Sequence, residues 1–166
     1  MLWTPLGCTR RAPKGYTQST PLPAVSTKTS HTPVTLPNMH THLHDYADQL
    51  GVTITHATLL EQGKEADYNH ATRTIRIDPR LPPTHYLWAL AHELGHAHYG
   101  HTTNTPRNEH KADKHALTLL INPSDYITAE TEADGNPEHT AALLGIPLHA
   151  LYLYQQRLTQ NRADSG

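Results

Sequence analysis

The run WALAHELGHAHYGH, residues 88–101, limits what this chain can fold into more than any other stretch. Leu87, Leu90, Ala91 and Leu94 recur at helical spacing, so the segment reads as a helix with one face in a core. Into that helix the sequence places His92, Glu93 and His96 as H-E-x-x-H. Residues four apart leave an α-helix from the same side, one turn apart, so the two imidazoles can converge on a single tetrahedral ion. Glu93 is offset around the helix and is placed to act as general base toward water at such an ion rather than to bind the ion tightly.

Two imidazoles do not complete a catalytic zinc site, which takes three protein ligands and keeps a fourth position open. Cys8 is the single cysteine, so the missing donor has to be His, Asp or Glu. The extended pattern H-E-x-x-H-x-x-G-x-x-H is excluded: Tyr99 and Thr102 stand where its glycine and third histidine belong, and Gly100 and His101 are out of register. A carboxylate from the next helix is the better solution. In NEHKADKHALTLL, Glu109 and Asp113 share one helical face, beside Ala112 and Ala116, which are small enough to let two helices approach closely. Glu109 is the first choice as third ligand, with His110, His101 and Asp113 as alternatives. Asp113 is expected to accept the free ring N–H of a liganding histidine, His92 first. His110, Tyr99 and Tyr126 are candidates to stabilise a developing oxyanion, and the sequence does not choose among them.

Around this centre the chain is organised simply. With 166 residues it has room for one ordinary domain. Residues 1–38 are rich in Thr, Ser and Pro, carry Arg10, Arg11, Lys14 and Lys28 but no acid, and read as a disordered, mildly basic tail. The globular domain is expected over 39–162, and Met39 is a candidate natural start. MHTHLHDYADQL (39–50) has the apolar spacing of a helix closed by Gly51. VTITHATLL and YNHATRTIRID, rich in β-branched residues, read as strands, with Ile75 and Ile77 toward the core and Arg76 and Asp78 toward solvent. Thr84 is the expected cap of the H-E-x-x-H helix. The ligand helix is expected from about Glu109 to Ile121, and PEHTAALLGIPLHALYLYQQRL reads as two short helices around GIP.

The remaining composition removes whole classes of function. A formal charge of −2 offers no general basic field for nucleic acid, so strong nucleic-acid binding is not expected. No apolar run approaches the roughly 20 residues of a membrane span, and the N-terminus lacks the layout of a secretory signal, so no membrane partner and a cytoplasmic location are expected.

Taken together, HELGH coupled to E-x-x-A-D-x-x-A, with RTIRID before it and LLINP and AALLGIPLHALYLYQQRL after it, resembles the ImmA/IrrE family of small zinc peptidases over about residues 40–160. The pairing of Glu109 and Asp113 with His92-Glu93-x-x-His96 is also that of the gluzincins. The resemblance implies an α+β, zincin-like minimal metallopeptidase domain: a small, mostly antiparallel sheet with an active-site helix, a ligand helix and a helical C-terminus. It further implies Zn²⁺ held by His92, His96 and Glu109, and site-specific cleavage of a protein substrate, a helix-turn-helix transcriptional repressor of phage or mobile-element type. His115 and Lys111 stand where the family usually has Phe and a further acid.

Three rival readings stand beside this one. A non-catalytic protein can keep the zinc fold and bind a repressor without cutting it. A histidine-rich protein, with 15 histidines, can hold metal loosely, and HTHLH at 40–44 is the place to look. The helices around GIP can also be taken for a DNA-reading pair, but the segment lacks a dense basic cluster, which favours packing. Arg73 and Arg76 read as solvent-facing charges; alternatively, the edge of their strand receives an extended substrate.

Overall fold

The computed structural model describes residues 36–163; residues 1–35, and with them nearly all of the expected basic tail, lie outside the described residues. Among the described residues the fold is α+β, with six helices and a three-stranded sheet. No helix among them is long and apolar enough to cross a membrane.

Helix α1 (Leu36–Leu50) begins three residues before the expected domain boundary. It buries Leu43 and Ala47, and it ends as its sequence demands. Gly51 takes the left-handed conformation (φ 64°), and the N–H of Val52 reaches back 2.9 Å to the Ala47 carbonyl. Strand β1 (Thr53–His56) follows directly, then a 3-10 turn (Leu60–Gln62), β2 (Ala66–Asn69) and β3 (Thr74–Ile77). The sheet order is β1-β3-β2, with β3 central, parallel to β1 and antiparallel to β2. The small sheet is therefore mixed.

YNHATRTIRID is a hairpin rather than one strand. The side chain of Asn69 accepts the Thr72 N–H at 3.2 Å, and Arg73 adopts a positive φ of 49°, turning the chain where composition alone suggested extension. Ile75 and Ile77 point into the core as their alternation requires. The strand of Arg73 and Arg76 has no free edge, since β3 is paired on both sides. Arg76 is not simply a solvated charge either: it donates to Asp67 on β2 through Nε (2.8 Å) and Nη2 (2.6 Å). Asp78, expected outside, is fully buried. It accepts the N–H groups of Leu59, Leu60 and Arg80 and is forked by the Arg80 guanidinium at 2.8–2.9 Å. The Arg80 fork and these N–H groups hold its carboxyl far below the ordinary carboxylate range, so the latch stays ionised wherever the fold is.

Four of the five helices that follow start on prolines. Helix α2 (Pro83–Tyr99) has Pro83 in its first turn behind Pro82, and Thr84 makes no cap; proline needs no N–H partner there and presets φ. Helix α3 (Pro106–Leu120) opens three residues earlier than expected, capped by Thr105, whose hydroxyl accepts the Asn108 N–H at 3.3 Å. Asn122-Pro123 does not only end α3. It also starts α4 (Pro123–Glu132), a helix the periodicity did not reveal, and Asn136-Pro137 starts α5 (Pro137–Leu144) in the same way. Helix α6 (Leu148–Ala163) closes the fold and is longer than the short element expected. The core joins Leu87, Leu90 and Leu94 of α2 to Leu43, Ile75, Ile77, Leu117 and Leu151, each such side chain contributing about 1.5–3 kcal/mol by burial.

Candidate metal centre

The site is set by how closely α2 and α3 approach. A Cβ built on Gly95 would lie 2.8 Å from the Ala112 Cα and 2.9 Å from its carbonyl oxygen, nearer than real atoms come. Main chain therefore rests on main chain at this crossing, and only glycine allows it. Ala112 and Ala116 are completely buried on the facing side.

One helical turn from that crossing, the side chains of His92, His96 and Glu109 meet. The two Nε2 atoms are 3.1 Å apart. Glu109 Oε2 lies 3.2 Å from His92 Nε2, and Oε1 lies 3.5 Å from His96 Nε2. One ligand atom from each residue falls within 4.8 Å of the others, the one such trio among the described residues. The other ring nitrogen of His92, Nδ1, is 2.9 Å from Asp113 Oδ1, so its N–H donates to the carboxylate and its Nε2 lone pair faces the trio. Glu109 Oε1 is buried with no hydrogen-bond donor. Lone pairs crowded onto one point repel each other unless a cation lies among them, and two imidazoles with a carboxylate are a donor set for a divalent ion. The residues present fit a metal.

Electrostatics match the geometry. Burial pushes the His92 imidazole down, but the Asp113 hydrogen bond and the charges of Glu93, Asp113 and Glu109 outweigh it and leave the group raised. His96 is lowered, by burial and then by His92. Glu93 does not join the trio. Burial, with help from Asp67 and Glu109, pushes its carboxyl up to about 7, against the opposing influence of His92 and a hydrogen bond from the Tyr68 backbone N–H. That N–H comes from β2, an edge strand, so the outer edge of the sheet runs beside Glu93.

The other residues singled out in the sequence are dispersed. Tyr99, half-exposed at the end of α2, lies 5.5 Å from His101, ring to ring. His110 is exposed and lines a groove between α3 and α6 with Asp113 and Arg157. Tyr126 is taken up elsewhere: its hydroxyl donates to Glu130 at 2.6 Å, and its ring packs 4.9 Å from Tyr154. His101 does reach the centre, but behind it, with Nδ1 3.2 Å from His96 Nδ1. A signal for that was present, since Gly100 reverses the chain and returns residue 101 to the His96 carbonyl at 2.9 Å. His149 stands edge-on to Trp88 at 5.1 Å, and Trp88 in turn adjoins His92 at 6.4 Å. The Tyr68 backbone contact left no mark in the sequence, because any residue can supply it.

A family model, that of the IrrE N-terminal-like domain (Peptidase_M78), matches residues 47–155, more than half of the chain. No curated protein and no solved structure matches it.

Proposed function

Because the chain belongs to the IrrE N-terminal-like family of M78 peptidases, we propose that it is a zinc-dependent endopeptidase that cleaves a helix-turn-helix transcriptional repressor at a specific site. The observation that carries this reading is the trio of His92, His96 and Glu109 with Glu93 beside it. When bound there, Zn²⁺ supplies Lewis acidity, polarising a peptide carbonyl and making water a better nucleophile near neutral pH.

The chain's own residues supply the rest. Glu93 takes a proton from the attacking water and passes it to the departing amine nitrogen. A group pushed up to about 7 is suited to both halves of that transfer, and a nearby cation favours its ionised, proton-accepting form. Asp113 holds His92 in the tautomer that presents Nε2. The outer edge of β2 gives an extended peptide main-chain partners next to Glu93, which moves the strand-pairing idea from β3 to its neighbour.

The test is to incubate the purified full chain with a candidate helix-turn-helix repressor from the same genome and analyse the products by mass spectrometry. Cleavage at one bond, abolished in Glu93→Gln with metal retained, supports the peptidase. Release of the repressor from its operator without cleavage, unchanged in that variant, supports the rival reading of a binding antagonist.

A further inference from the structure

We propose that His40, His44 and His56 form a second metal site, for a borderline divalent ion such as Ni²⁺, Cu²⁺ or Zn²⁺, where α1 meets β1 and the first turn of α2. His40 and His44 stand one turn apart on α1 with their rings stacked, centroids 4.4 Å apart and planes at 25°. Rotation about side-chain bonds converts such a pair into a chelate, since both leave the helix on the same side. His56, the last residue of β1, is tied to the same corner through Tyr86; as the rings stand the three histidines do not bring ligand atoms within 4.8 Å of one another, so the same rotation has to draw His56 in.

The decisive atom is His44 Nε2, which is buried without a hydrogen-bond partner. A buried polar nitrogen in that position costs free energy, and coordination of its lone pair removes the cost. Tyr86 orients the other two rings. Its own ring stacks on His40 at 5.6 Å and 16°, and its hydroxyl lies 3.2 Å from His56 Nε2, leaving His56 Nδ1 for an ion. Asp45 and Asp48, on the same helix as His40 and His44, add negative charge close by. An all-imidazole set favours copper, nickel and zinc over magnesium and calcium. The site shares no residue with the α2–α3 centre, and His40 and His44 precede the span matched by the family model.

The full chain, stripped of metal with a chelator, is titrated with Ni²⁺ by calorimetry, and bound metal is counted after gel filtration. Two binding events are expected. The double variant His40→Ala/His44→Ala loses one and keeps the other, His92→Ala/His96→Ala does the converse, and His56→Gln weakens the α1 event at least tenfold. A second event that survives His40→Ala/His44→Ala, or a wild-type chain whose single event is removed by His92→Ala/His96→Ala, overturns the proposal while leaving the peptidase reading intact. Should the double variant fail to fold by circular dichroism, His44→Gln is read by Cu²⁺ electron paramagnetic resonance. Loss of one of two imidazole-ligated signals supports the site, and an unchanged spectrum overturns it.

Discussion

Helices α2 and α3 carry two histidine pairs with opposite fates. His92 and His96 meet the carboxylates Glu109 and Asp113. Farther along the same helices, His98 and His115 stack at 4.2 Å and meet the hydroxyl of Tyr46, 2.7 Å from His98 Nδ1 and 3.0 Å from His115 Nε2. A phenol can donate its proton to one ring and accept from the other, so the second pair closes on itself. Burial lowers the His115 imidazole and keeps it neutral, consistent with that closure. The first pair has more lone pairs than protons. Between these two pairs the carboxylate partners make the difference: only the first is part of a donor cluster that could hold a cation.

That contrast can be broken or sharpened by substitution. The largest effect is expected for Glu93→Gln, which should lower cleavage by about 10²–10⁴-fold with metal content unchanged, measured by product formation and metal analysis. Loss of the metal along with activity would instead put Glu93 among the ligands. Asp113→Asn should follow, weakening metal binding by about 10–100-fold in competition with a chelating dye, because His92 loses the acceptor that fixes its ring. Gly95→Ala should destabilise the fold by about 1–3 kcal/mol in urea unfolding, through the clash with Ala112; an unchanged midpoint would mean the helices part easily. The smallest effect belongs to Tyr46→Phe, about 0.5–1.5 kcal/mol, with metal affinity unaltered. A drop in metal affinity there would show that the two pairs are coupled and the contrast is false.

Much of the centre was legible because it rests on helical periodicity. His92, His96, Glu109 and Asp113 are each placed by intervals of four on two helices, and Gly95, Ala112 and Ala116 announced the close crossing. What stayed hidden depends on main chain or on long-range burial. Asp78 is marked as an interior residue only by distant partners, the N–H groups of Leu59 and Leu60 ahead of β2; its other three donors all belong to Arg80, which alone reads as a surface partner. The hairpin at residues 70–73 was masked by β-branched neighbours, although Asn69 carried a turn signal. Thr105-Pro106 and Asn122-Pro123 are each a cap followed by a first-turn proline, the first ahead of the expected start of the ligand helix and the second opening a helix that periodicity did not reveal, whereas Asn136-Pro137 opens the expected PEHTAALL helix in the same way. Tyr126 looked available as a bare phenol, and only packing against Tyr154 reveals that it is committed.

The seating of Gly95 on Ala112 also determines what kind of platform the candidate centre stands on. Peptide groups, not adjustable side chains, fix the spacing of the two helices that carry His92, His96 and Glu109, so the Cα positions of the three donors are set once the chain folds. The imidazoles and the carboxylate can still turn about their own bonds, but widening the platform beneath them means prising two backbones apart.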